Sequence, residues 1–352
     1  MKLDELYDRI HDAVLSLNYE EIWRGFSPLK FALYDDESCF FDGAYIEKTD
    51  DFCANTSIAY KGEQIAIWKV EGDPDITVLT SKIVHEMFHG YQTVKGWDCW
   101  ADESEALYRY RYNIENLTLR MRENELLVSL SDRFDPAVYK ELLSHRKLRG
   151  EKFPYEYSYE CKVEEIEGSA TYVEQMVLRQ LDKSAAVGMT ARMRSVITDP
   201  ECLFPIRISS YFTGALLINA MVASGDYYFS SANRPVIDRV IVGTDRSDGS
   251  FPGKTELCKK VSDAVASYNR ESERIIRSAL EKNAVIAEGP LELLGVNIYD
   301  ARFYMGYITS RYFMQYRGES RKTTLSGNFV IRMADERTIS RIYEWDGASV
   351  VQ

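Results

Sequence analysis

Histidine is scarce in this chain: four occur in 352 residues, at positions 11, 85, 89 and 145. That scarcity gives weight to any close pair. The six cysteines, Cys39, Cys53, Cys99, Cys161, Cys202 and Cys258, are widely scattered, without the close spacing that holds structural zinc or runs thiol exchange. Free structural thiols are expected. No apolar run approaches the roughly 20 residues needed to span a bilayer, and Met1-Lys2-Leu3-Asp4-Glu5-Leu6 lacks the basic, then apolar, then small-residue order of a leader. A cytoplasmic protein with no membrane partner is expected. Positive charge is also short: 43 Lys and Arg against 55 Asp and Glu leave a formal −12, a surface that repels a phosphate backbone. Nucleic acid is not an expected partner, and basic or neutral substrates are weakly favoured.

What is present is the composition of a globular protein, 45% hydrophobic and 28% charged, long enough for about two domains at roughly 150 residues each. Leu3, Leu6, Ile10, Val14 and Leu17 recur at three-to-four spacing and predict a packing helix within 1–24. Between 29 and 70 the texture becomes β-prone: Lys30–Tyr34, Cys39–Phe41, and Ser57–Tyr60 with Gln64–Trp68 as a hairpin around Lys61-Gly62-Glu63. Asp73-Pro74 and Gly96 then bracket a helix of about 20 residues. Helical spacing continues over about 101–130, 135–149, 158–182, 207–223 and 256–282. The aromatic-rich stretch 299–316 reads as a further helix, and 328–332 with 338–343 as a terminal hairpin. The expected organisation is α+β and mostly helical: a small β-containing lobe, 1–96, and a larger helical lobe, 97–352.

The bracketed helix contains His85-Glu86-Met87-Phe88-His89. A separation of four residues puts both imidazoles on one helical face, so they can close on one Zn²⁺, with Glu86 beside them to take a proton from an activated water. Catalytic zinc takes a third protein ligand. No histidine follows His89 closely, and His145 reads as a solvated helix-face residue. A carboxylate from another helix is the alternative, and Glu160, Glu164, Glu167, Thr171 and Glu174 share one face at helical spacing. Spacing alone does not choose among them.

Glu167-Gly168-Ser169-Ala170-Thr171-Tyr172-Val173-Glu174 resembles the Glu-Gly-x-Ala-x-Tyr-x-Glu segment of gluzincin metallopeptidases, best known in the aminopeptidase-N family. The resemblance implies that Glu167 is the third zinc ligand and that Glu174 orients a ligating histidine. Gly168 and Ala170 would let this helix approach the zinc helix closely. Further on, Tyr211-Phe212-Thr213-Gly214-Ala215 is similar to the Tyr-x-x-Gly-Ala stretch of the same family, which implies that Tyr211 hydrogen-bonds the oxyanion. The family also binds extended peptide along a strand beside the zinc helix, here implied to be Gln64, Ile65, Ala66, Ile67 and Trp68. Two departures stand out: 77 residues separate His89 from Glu167, and no Gly-x-Met-x-Asn strand is present.

The resemblance thus implies a zincin-like catalytic domain with a cleft between the lobes. The expected function is a zinc-dependent metallopeptidase acting on peptides or proteins, with one zinc per chain and Glu86 as general base. A zinc hydrolase of a non-peptide amide or ester, or a non-catalytic zinc-stabilised peptide-binding protein, are the alternatives. Oligomeric state and bond specificity are not legible.

Overall fold

The computed structural model describes residues 2–227, 235–245, 255–318 and 321–345. Helix α1 (Leu3–Leu15) buries Leu3, Leu6, Ile10 and Val14, as its spacing requires, and the short α2 (Tyr19–Ile22) leads to Trp23 in the core. A five-stranded sheet follows: β1 (Phe31–Tyr34), β2 (Cys39–Phe41), β3 (Ala44–Ile46), β4 (Thr56–Tyr60) and β5 (Glu63–Lys69), in the order β3-β2-β1-β5-β4. The β4–β5 hairpin closes on Lys61-Gly62, both at positive φ, the two-residue turn whose twist matches the flanking strands.

Helix α3 (Ile76–Val94) packs on this sheet so closely at Gly90 that an added Cβ would lie 2.5 Å from Leu29 and 2.8 Å from the Ser57 hydroxyl. Its cap is Asp75, whose side chain accepts from the Val78 N–H, two residues beyond the expected Asp73. Gly96 ends the segment at φ +68°. The predicted helix over 101–130 is two: α4 (Glu103–Arg109) and α5 (Ile114–Asp132), because Asn113 starts afresh as a cap accepting from Glu115 and Asn116. Next come α6 (Pro136–Lys152), α7 (Pro154–Val163), a π-helical turn Glu164–Gly168, and α8 (Ser169–Leu181). Helix α9 (Lys183–Thr198) and α10 (Ile206–Ser224) complete the main helical body, followed by the short α11 (Val236–Val240). Helix α10 is long and apolar enough to cross a membrane, yet most of its length is buried in the core. All six cysteines are free.

The C-terminal quarter departs most from expectation. After the amphipathic α12 (Glu256–Lys282), the chain forms β6 (Val285–Val296), β7 (Arg302–Tyr304), β8 (Tyr307–Ser310), β9 (Phe313–Gly318), β10 (Arg321–Ser326), β11 (Phe329–Met333) and β12 (Thr338–Glu344). They make one antiparallel sheet, β10-β9-β6-β12-β11-β8-β7. The predicted helix over 299–316 is therefore three strands: its aromatic residues fit a pleated surface, and Met305-Gly306, both at positive φ, turn Tyr304 onto Tyr307. The expected terminal hairpin is present as β11–β12. Ile275, Ile276 and Ala279 of α12 pack against Val330, Tyr343 and Trp345 of the sheet, and α12 also lies on α5, joining sheet to helical body.

Candidate metal centre

His85 and His89 lie one turn apart on α3, and their Nε2 atoms are 3.1 Å from each other. Glu167 reaches the same point from the π-helical turn: its Oε2 is 3.2 Å from His89 Nε2 and 3.8 Å from His85 Nε2. One ligand atom from each of the three lies within 4.8 Å of the others, a group that could hold a metal ion. Two imidazole nitrogens and one carboxylate oxygen converging from two helices fit the donor set of a zinc site with an open position.

The surroundings fix how each ligand is presented. Gln92 Nε2 donates to the Ile166 carbonyl and the Ser169 hydroxyl, both at 2.9 Å, which turns Gln92 Oε1 toward His89 Nδ1 at 2.7 Å. His89 must then carry its proton on Nδ1, leaving the Nε2 lone pair for an ion. Glu174 Oε2 faces His85 Nδ1 at 3.4 Å, while its other oxygen pairs with Lys82 at 2.8 Å. Arg207 holds Glu167 Oε1 at 2.6 Å and also pairs with Glu103, so Glu167 turns a single oxygen to the imidazoles.

The buried imidazoles and carboxylates stabilise one another's charged forms. Burial works against charging either histidine, yet Glu167 and Glu174 prevail and raise His85 to about 10; His89 is also raised, mainly through Glu167. Burial likewise opposes ionisation of the two carboxylates, but His89 and His85 hold Glu167 well below the usual range, and His85 and Lys82 bring Glu174 to about 2. Protons and a metal ion compete for the same nitrogens. Glu86 is raised, because burial outweighs the nearby imidazoles.

A cavity of about 530 Å³ opens over these groups. His85, Glu86, His89, Glu167, Glu174 and Tyr211 all line it, and so does Trp68. Two residues that the sequence did not single out join them. Tyr299, from the loop between β6 and β7, brings its hydroxyl to 3.5 Å from that of Tyr211. Arg192 of α9 stands in the wall, exposed and without an ion pair among the described residues.

Strand β5 is interior, bonded to β1 on one side and β4 on the other, so Gln64, Ile65, Ala66 and Ile67 offer no edge for an added peptide strand. On this side the sheet ends at β4, and Thr56 at its start lines the cavity. Glu160 and Glu164 are not spare ligands: they are buried in ion pairs with Arg120, Arg146 and Arg149, all fully buried. Gly168 does not serve the approach of its helix to α3; an added Cβ would lie 2.5 Å from Gly214 Cα on α10. His145 lies away from the site beside Glu141, but it is mostly buried, 18% exposed, rather than the solvated helix-face residue expected.

The signals for Gln92 and Arg207 were weak. Gln92 sits one turn beyond His89 on the same face, a position readable once the motif is placed. Arg207 precedes Tyr211 by one turn on α10, but only the fold brings it to Glu167. No family model, no curated protein and no solved structure matches the chain.

Proposed function

We propose that this protein is a zinc-dependent metallopeptidase with a zincin-like catalytic centre. The observation that carries the reading is the convergence of Glu86 and Tyr211 on the same cavity as the His85–His89–Glu167 group. Zinc held by these three residues would supply an activated water and a polarised carbonyl.

The chain's own groups supply the rest. Glu86, a carboxyl raised by burial, takes a proton from the attacking water and delivers it to the departing amine. Tyr211 donates its phenolic hydrogen to the oxygen that becomes negative as the carbonyl carbon turns tetrahedral. Gln92 keeps His89 in the ligating tautomer, and the Glu174 carboxylate, 3.4 Å from His85 Nδ1, favours a proton on that nitrogen. Extended substrate adds along the β4 edge of the sheet, with its backbone paired to the strand and its side chains alternating toward and away from the cavity.

Glu86→Gln tests this directly. The variant is expected to retain zinc by elemental analysis while kcat on a peptide library falls by about 10²–10⁴. Unchanged turnover with zinc bound contradicts the assignment.

A further inference from the structure

One wall of the metal-site cavity takes no part in the chemistry assigned to Glu86 and Tyr211. Helix α9 presents Met189 and Arg192 there, three residues apart and so on one face, and Phe212 of α10 lines the cavity too. His85, Glu86, His89, Glu167 and Tyr211 line the same space. A molecule filling its volume of about 530 Å³ therefore meets both sets of residues.

Besides the histidines, two basic residues line this cavity, and they differ in what already holds them. Lys82 is paired with Glu174 at 2.8 Å. The Arg192 side chain is exposed and has neither an ion pair nor a hydrogen bond among the described residues. Glu167 and Glu174 are committed elsewhere, the first to Arg207 and the imidazoles, the second to Lys82 and His85. A guanidinium stays charged and offers a planar fork of N–H donors that fits a carboxylate through two parallel bonds. With no carboxylate supplied by the described chain, the partner comes from the molecule bound in the cavity. Met189 and Phe212 add apolar surface beside the charge. The formal charge of −12 disfavours acidic ligands at long range, whereas this unpaired cation favours them at the wall itself.

We propose that Arg192 is a specificity-determining residue of the metal-site cavity, pairing with a carboxylate of the substrate. That carboxylate is the substrate's C-terminus or an Asp or Glu side chain, two sources that the experiment separates. The assignment rests on the peptidase reading above for its link to cleavage, but the pairing with a carboxylate does not. Because Arg192 is exposed, Arg192→Gln removes the charge without opening the core. Arg192→Lys keeps a charge but loses the fork.

The experiment has two arms on the full chain reconstituted with zinc. In the first, a site cleaved in a random peptide library is built into two matched pairs: one ends in a free acid or an amide, and the other, amidated, carries Asp or Asn near the cleaved bond. The wild type is expected to prefer the acidic member of one pair by about tenfold in kcat/KM, Arg192→Gln to bring that ratio to about one, and Arg192→Lys to keep part of it. The pair that responds identifies the source of the carboxylate. Equal rates within both pairs in wild type, or a preference that survives in a folded Arg192→Gln, overturns the proposal. In the second arm, equilibrium dialysis compares N-acetylphenylalanine with its amide. The acid should bind wild type more tightly than the amide does, and Arg192→Gln should lose that difference. If no peptide is cleaved yet dialysis gives this result, the peptidase reading falls and the carboxylate site stands. If no peptide is cleaved and the acid is not favoured, or is favoured by both proteins alike, the site is overturned as well.

Discussion

Gln92 accepts a hydrogen bond from His89 at 2.7 Å while its own amide nitrogen donates to the backbone of the turn that carries Glu167. One side chain thereby sets the tautomer of one ligand and the distance to another. Removing the amide should misorient both. Gln92→Leu is expected to weaken zinc about 10–100-fold in a competition assay with a chromophoric chelator, with the fold intact by circular dichroism. Wild-type affinity in this variant would mean that Gln92 only packs.

The buried ion pairs behind the π turn make an acid-sensitive support. Burial opposes ionisation of Glu164, but Arg146 and Arg120 outweigh it and lower its pKa from 4.5 to about 2. The folded value lies below the unfolded one, so the stabilisation is complete above about 4.5 and is lost as pH falls toward 2. By linkage this amounts to at most ~3 kcal/mol. Urea unfolding across that window should show stability rising with pH in wild type. Glu164→Gln should flatten the slope and, by leaving two arginines short of a counter-charge, cost about 3–5 kcal/mol at neutral pH. An unaltered slope would show that Glu164 does not carry the acid sensitivity.

At the crossing of α10 with the π turn there is no room for a methyl group. An added Cβ at Gly214 would lie 2.7 Å from both the Glu164 carbonyl oxygen and Gly168 Cα, so Gly214→Ala forces the helices apart at a cost of about 1–3 kcal/mol. Because Glu167 sits in that turn, zinc affinity should fall as well. Thermal melts with and without chelator measure both effects. A variant that loses stability but binds zinc like wild type would show that the crossing does not position Glu167.

How much was legible in the sequence depended on how local the information was. His85 and His89 share a face because helical periodicity alone places them, and the hairpin at Lys61-Gly62 follows from two adjacent residues. The burial of Glu160 and Glu164 was not legible: their arginine partners come from α5 and α6, and a stripe of glutamates reads alike whether it faces water or a guanidinium. Gly168 marks a close approach, but sequence does not say which helix comes close. In the C-terminal sheet, aromatic residues at mixed spacing over 299–316 satisfied a helical pattern, and only the long-range pairing of β6 with β9 and β12 decides for strands. Tyr299 entered the metal-site cavity by that same route.

If Glu167 completes a metal site with His85 and His89, its removal must empty that site. Elemental analysis of wild type and Glu167→Ala, both purified without added metal and then reconstituted, tests it most directly. About one zinc per chain is expected in wild type and much less in the variant. Full zinc in Glu167→Ala, or none in wild type after reconstitution, would contradict it.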